Sequence, residues 1–215
     1  MPTSLSTPRD SEAKLRHILS ISAQTFADHG FEGTSMRDIS RATGISLSGL
    51  YYYFESKQKL LYLIQNKTFA VVVERLQARL NAAQTPEARL RILVQNHIEY
   101  FLSHPNEMKV LSHEEDALEP PYSEEVAAIK RRYYALAREI FGSLAADGLA
   151  ADLNPRLAVL SLFGMMNWVY KWHNSRIDPG AKELTDAIVG IFLHGVLPAS
   201  EHTFSTAASP AIPSD

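Results

Sequence analysis

The 215-residue chain contains no cysteine, which excludes a disulfide framework and any cysteine-ligated metal. Long apolar runs are missing too. The nearest approach, Leu157 to Tyr170, is interrupted by Ser161, Gly164 and Asn167, short of the ~18 uninterrupted apolar residues of a membrane span. Met1 to Asp10 has no apolar core, so no secretory signal is expected there. A soluble cytoplasmic protein is the expectation, with no membrane partner. No stretch alternates apolar and polar residues as a half-buried strand does, which argues against a sheet. Nor is either sign of charge in large excess: the net charge is −3, with 21% charged and 46% hydrophobic residues. That balance argues against nucleic acid covering the whole surface. The charge is nevertheless uneven. From Pro8 to Lys67 there are eight basic residues (Arg9, Lys14, Arg16, Arg37, Arg41, Lys57, Lys59, Lys67) and six acids (Asp10, Glu12, Asp28, Glu32, Asp38, Glu55), an excess of two. Acids gather later, at Glu114-Glu115-Asp116, Glu119 and Glu124-Glu125.

Helical periodicity, by contrast, runs almost throughout, and the expected class is all-α with about nine helices. A first helix is expected over 11–29, with Ile18, Ile21, Ala23, Phe26 and Ala27 as its apolar stripe and Gly30 as its stop. Thr34 or Ser35 can cap a second helix that Gly44 ends, and a third runs from about 46 to 53. Ser56 caps a long amphipathic helix over 57–81. Further helices are expected over 86–102, in a shorter stretch toward 118, and over 123–146, 155–174 and 180–197. This suggests a flexible arm at 1–10, a small helical domain at 11–56, a larger helical domain at 57–198, and a disordered tail at 199–215 rich in Ser, Ala, Thr and Pro.

Thr34 to Lys57 carries the chemistry. Two short helices joined by a glycine turn form a helix-turn-helix, which lays its second helix in the major groove of double-stranded DNA. Ile39, Ala42, Ile45, Leu50 and Phe54 have the spacing to pack inward. Ser46, Leu47, Ser48, Tyr51 and Tyr52 are then left to face DNA, and Gly49, lacking a side chain, would allow close approach. Thr34, Arg37 and Lys57 are placed to touch phosphates. Tyr53 and Phe54 are expected in the core.

The run Phe26-Ala-x-x-Gly30-Phe-x-Gly-Thr34-Ser, then Ile39-Ser-x-x-Ala-x-Gly44-Ile-Ser, then Leu50-Tyr-x-Tyr-Phe54-x-Ser-Lys57-x-x-Leu60 resembles the DNA-binding domain of the TetR family of bacterial transcriptional regulators. The resemblance covers residues 18–61. It implies an all-α homodimer whose first three helices bind a palindromic operator and whose later helices bind a small effector. Many members carry Lys or Arg where this chain has Leu47, which leaves the operator sequence open.

The segment Leu162-Phe-Gly-Met-Met-Asn-Trp-x-Tyr-x-Trp172 is similar to the equivalent helix of the acyl-CoA-responsive branch, which includes regulators of fatty-acid and sterol degradation. So is Lys130-Arg-Arg-Tyr-Tyr-x-x-x-x-Arg138. The resemblance implies a small hydrophobic effector such as an acyl-CoA. Arg131, Arg132 and Lys171 could supply cations for its phosphates, with Phe101, Met108, Phe141, Met165, Trp168 and Trp172 as acyl-chain or ring contacts. Dimer contacts are expected through the last two helices, at about 155–174 and 180–197. The alternative effector is an aromatic or cationic drug-like compound stacked on tryptophan. An enzyme or metal-binding protein is a distant third: His97, His104 and His113 lie near acids, but no His-Glu-x-x-His, phosphate-loop or nucleophile-elbow pattern occurs. No cofactor, catalytic residue or metal ligand is expected.

Overall fold

The computed structural model describes residues 8–83, 85–114, 116–147 and 154–195; of the arm expected at 1–10, residues 1–7 lie outside them and 8–10 belong to the first helix, and the tail expected at 199–215 lies outside them. The described residues form ten helices and no strand: α1 (Pro8–His29), α2 (Met36–Thr43), α3 (Leu47–Tyr53), α4 (Lys57–Leu80), α5 (Pro86–Ser103), α6 (Pro105–His113), α7 (Tyr122–Ala146), α8 (Pro155–Asn167), α9 (Val169–Trp172) and α10 (Ala181–His194). Among the described residues no helix is long and apolar enough to cross a membrane.

Local chemistry sets most of the boundaries. The side chains of Ser35, Ser46, Ser56, Thr85 and Asn154 each accept a backbone N–H in the first turn of the helix that follows. Pro86, Pro105 and Pro155 open their helices at the position where the missing N–H is not needed. Gly44 ends α2 in the left-handed conformation at φ 69°, which a side chain would resist. The expected single helix over 155–174 is instead broken: Trp168 forms a turn between α8 and α9, pointing outward while Val169 turns inward.

Two apolar clusters hold the molecule. The first joins α1, α2 and α3 through Ile18, Phe26, Ile39, Leu50 and Phe54 to Leu60, Leu61 and Ile64 at the start of α4, and takes in Val110, Leu118 and Val126. The second packs Val72, Val73, Leu76 and Leu80 of α4 against α5, α7, α8 and α10. A fully buried Leu or Ile contributes roughly 1.5–3 kcal/mol. With such residues in both clusters, α4 is a rod fixed at both ends.

Candidate functional site

The short helices are held at a defined angle by their caps. Ser35 Oγ accepts from the Asp38 N–H at 3.3 Å, and Asp38 Oδ2 accepts from the Ser35 N–H at 2.9 Å. Those bonds from Ser35 hold the Asp38 carboxyl below its usual range. Across the Gly44 turn, Ser46 Oγ accepts from the Gly49 N–H at 3.1 Å and starts α3. Leu50 and Phe54 go into the core, and Tyr53 is half-buried against it. The opposite face is open: Tyr51 is 49% and Tyr52 84% exposed, with Ser46, Ser48 and Arg37 also exposed. Arg37, Leu47, Tyr51 and Lys57 border one shallow hollow with residues 32–36. The structure thus gathers residues from α2, α3 and the start of α4 on one surface, the geometry a groove-reading helix needs.

Two expectations about this surface are corrected. Thr34 is buried, and its hydroxyl donates to the Gly30 carbonyl at 2.7 Å, so its side chain fastens the α1–α2 loop instead of facing outward. Lys57 is turned inward as well. Its Nζ donates to the carbonyls of Phe31 at 2.7 Å and Thr34 at 3.0 Å and lies 4.1 Å from the Phe31 ring centroid. Two of its three N–H groups therefore tie the loop to α4. Gly49, expected to allow close approach to DNA, also relieves crowding in its own turn. A Cβ there would come within 3.0 Å of Ile45 Cγ2 and 3.1 Å of Ser46 Oγ, the cap atom.

A polar path joins this head to the rest of the molecule. Glu114, just past α6, accepts the Phe31 N–H on Oε1 at 3.0 Å, and its carbonyl accepts Gln65 Nε2 at 2.9 Å. Gln58 Nε2 donates to the Ala117 carbonyl at 2.8 Å. Both faces of Phe31's backbone are therefore used, one by Glu114 and the other by Lys57. Nothing in the periodicity of the sequence pointed to Glu114, since the contact spans 83 positions.

Directly behind this path lies a cavity of about 620 Å³ between α4, α5, α6, α7, α8 and α9. Its inner wall is formed by buried His97, Phe101, Met108, Leu111 and Tyr133. Phe69, Phe163 and Tyr170 continue the wall outward, and Ser112, His113, Asn167, Trp168 and Lys171 stand at the exposed mouth with half-buried Lys130 nearby. No carboxylate is among these described lining residues. Lys171 Nζ lies 5.3 Å from the Tyr170 ring centroid and 5.8 Å from that of Trp168, and Lys130 Nζ 5.6 Å from that of Phe69. The His113 imidazole is lowered by burial and then by the charges of Lys171 and Lys109. Apolar rings within and cations outside suit an amphiphile with a negative head.

Of the residues expected to contact an effector, Phe101, Met108, Trp168 and Lys171 line this cavity. The others do not. Phe141 lies eight residues beyond Tyr133, roughly 12 Å of helix, in the core against Phe192. Met165 packs on the main cluster instead of lining the cavity. Trp172 is half exposed beyond the mouth. Arg131 and Arg132 are exposed, and Arg132 donates to Gln77 Oε1 at 2.8 Å. On α7 the cavity-facing row is Lys130, Tyr133 and Tyr134, so adjacent arginines fall on other faces. The buried row Val126, Tyr133, Ala137, Ile140 and Leu144 carries that phase and was the signal that could have found it. Among the described residues no group of three or more His, Asp or Glu side chains could hold a metal ion.

Comparison with known proteins gives matching results for both parts. Residues 18–62 match the family described as bacterial regulatory proteins, tetR family, and residues 83–196 match the family described as tetracyclin repressor-like, C-terminal domain. The HTH-type transcriptional repressor KstR2 of Mycolicibacterium smegmatis is 30% identical over 84 residues, which span 39% of this chain and 41% of that protein. Among solved structures, the TetR family transcriptional regulator PfmR from Thermus thermophilus aligns at a TM-score of 0.77 and 26% identity, over 84% of this chain and 99% of that one. AibR, in complex with isovaleryl coenzyme A and operator DNA, aligns at 0.76 and 28% identity, over 84% of this chain and 98% of that one.

Proposed function

The chain belongs to the TetR family of DNA-binding transcriptional regulators, and from that premise we propose that it is a repressor released from a palindromic operator by an anionic hydrophobic effector of the acyl-CoA type. The observation that carries the effector class is the cavity: rings and aliphatic side chains inside, lysines outside, and no carboxylate among its described lining. A cation could stack on the rings, but the lysines beside them would repel it, so the lining favours an anion over the cationic alternative. The likeness to AibR, whose structure holds isovaleryl coenzyme A and operator DNA, supports a thioester in particular.

In this reading Arg37, Ser46, Leu47, Ser48, Tyr51 and Tyr52 meet the DNA, and two copies pair through α8 and α10. Leu157, Trp172 and Ile191 expose apolar surface along α8 to α10 away from the cavity lining, which supports pairing there. A two-fold dimer must hold its two reading helices about 34–36 Å apart to meet successive major grooves. An effector acts only if it favours a different spacing, because a ligand equally fond of both states shifts nothing. The last turn of α6 forms part of the cavity wall and leads directly into Glu114, so a displacement there reaches the head.

The test is a melting series of the purified protein with palmitoyl-CoA, benzoyl-CoA, palmitate and coenzyme A alone. A ligand of the native state at 100 times its dissociation constant adds about 2.7 kcal/mol. A rise in melting temperature with a thioester but not with coenzyme A alone supports the reading. A shift with none of the four counts against an acyl-CoA effector.

A further inference from the structure

His97 is, with Tyr133, a buried polar residue in the wall of the cavity. It is 2% exposed, with Phe101 at 4.6 Å, Tyr133 at 6.2 Å and Phe163 at 6.3 Å between ring centroids. Its Nδ1 lies 3.1 Å from the Tyr133 hydroxyl, while its Nε2 is buried with no hydrogen-bond partner. The pair has two arrangements. If Nδ1–H donated to the tyrosine oxygen, the Tyr133 hydroxyl proton and the Nε2 lone pair would both be left over. If Tyr133 O–H donates to Nδ1, the one unmet strong donor is Nε2–H. Each arrangement leaves one buried donor unmet, so the choice rests on acceptor strength: the second pairs the phenol O–H with the imidazole nitrogen, the better acceptor, and leaves Nε2–H as the unmet donor on a residue of the cavity wall. Burial also pushes the imidazole down to about 3, so it is neutral at physiological pH.

We infer that the effector carries a neutral oxygen acceptor, a ketone or hydroxyl oxygen, at the end that enters the cavity first, where it accepts from His97 Nε2–H. Its anionic end lies toward the lysines at the mouth. A carboxylate at the inner end would be a buried charge facing a neutral donor, which is costly. A plain alkyl end would leave the donor unmet. The ring-lined wall favours a flat or cyclic skeleton, since aromatic faces pack against one another with centroids about 4.5–7 Å apart. The effector class is thus an oxygenated aromatic or alicyclic acid, or its coenzyme A thioester. This inference rests on the cavity being the effector site.

The test uses matched pairs: benzoyl-CoA against 4-hydroxybenzoyl-CoA, and cyclohexanecarbonyl-CoA against 4-oxocyclohexanecarbonyl-CoA. Affinities are measured by calorimetry on the wild type, His97→Leu and His97→Gln. The oxygenated member should bind about tenfold tighter than its partner, the worth of one hydrogen bond. That preference should vanish in His97→Leu and survive in His97→Gln, which keeps an N–H donor. Equal affinity within each pair, or a preference untouched by His97→Leu, overturns the inference while leaving the cavity as the effector site. Failure of all four to bind overturns this inference, and if palmitoyl-CoA also fails in the melting series the cavity reading goes with it. The tautomer is read without any ligand by nitrogen-15 spectra of the histidine ring, and a proton on Nδ1 of His97 would also overturn it.

Discussion

Glu114 Oε1 accepts a hydrogen bond from the Phe31 backbone N–H at 3.0 Å, joining the end of α6 to the loop that precedes α2. The same residue accepts Gln65 from α4 on its carbonyl. One residue next to the cavity wall therefore holds both the reading head and the long rod beside it. The last turn of α6 is thus tied to the head both by this hydrogen bond and by Val110 in the head's apolar cluster.

Replacing Glu114 with Ala should leave the Phe31 N–H without an acceptor and cost about 1–2 kcal/mol, whereas Glu114→Gln keeps a carbonyl oxygen and costs less. Urea unfolding measures the difference, and hydrogen exchange at the Phe31 amide should quicken in the alanine variant alone. Identical exchange in both variants would contradict the contact.

Lys57→Ala should destabilise the protein by about 1–2 kcal/mol, because two backbone carbonyls and the Phe31 ring lose their cation together. Its melting temperature should fall by several degrees. An unchanged melting temperature with a shallower salt dependence of DNA binding would mean that Lys57 serves the phosphates instead.

Arg37→Ala and Tyr52→Ala alter exposed side chains and should change stability by no more than about 0.5 kcal/mol. Arg37→Ala should weaken binding to DNA selected by the protein from a randomised pool, and reduce the salt slope by about one. Tyr52→Ala should weaken binding as well. Full affinity in both variants would show that this face does not touch DNA.

Folding should become less favourable as the pH falls below about 6.5, partly through His97. The unfolded imidazole takes up a proton near pH 6.5, but burial lowers the folded one to about 3. The folded state is therefore favoured fully above 6.5, and that advantage is lost progressively down to about 3. Within the window one proton corresponds to about 1.4 kcal/mol per pH unit. Urea unfolding at pH 7, 6 and 5 should show a gentler decline for His97→Gln than for the wild type, and an equal decline would contradict the assignment.

Much of the helical layout was legible because it follows local chemistry. Ser35, Gly44 and Ser56 mark ends of α2 and α4 in a single sequence, since each cap needs only its neighbours. The family was legible from fixed spacings between Phe26 and Leu60. The break at Trp168 was not, because an apolar helix gives no sign of where it turns. Thr34 and Lys57 looked like surface contacts because their carbonyl partners lie up to 26 positions away. The His97–Tyr133 pair, 36 positions apart, depends on α5 and α7 meeting across the cavity. Arg131 and Arg132 drew attention as charges, although the phase of α7 directs Lys130 inward in their place.

The most direct measurement is the affinity for pool-selected DNA, read by fluorescence anisotropy with and without the thioester that raises the melting temperature most. Linked sites change each other's affinities by equal factors, typically about 5–150-fold. The DNA affinity should therefore fall by about tenfold or more, and the same DNA should weaken thioester binding by the same factor. Unchanged DNA affinity with the thioester bound would break the link between cavity and head and contradict effector-released repression.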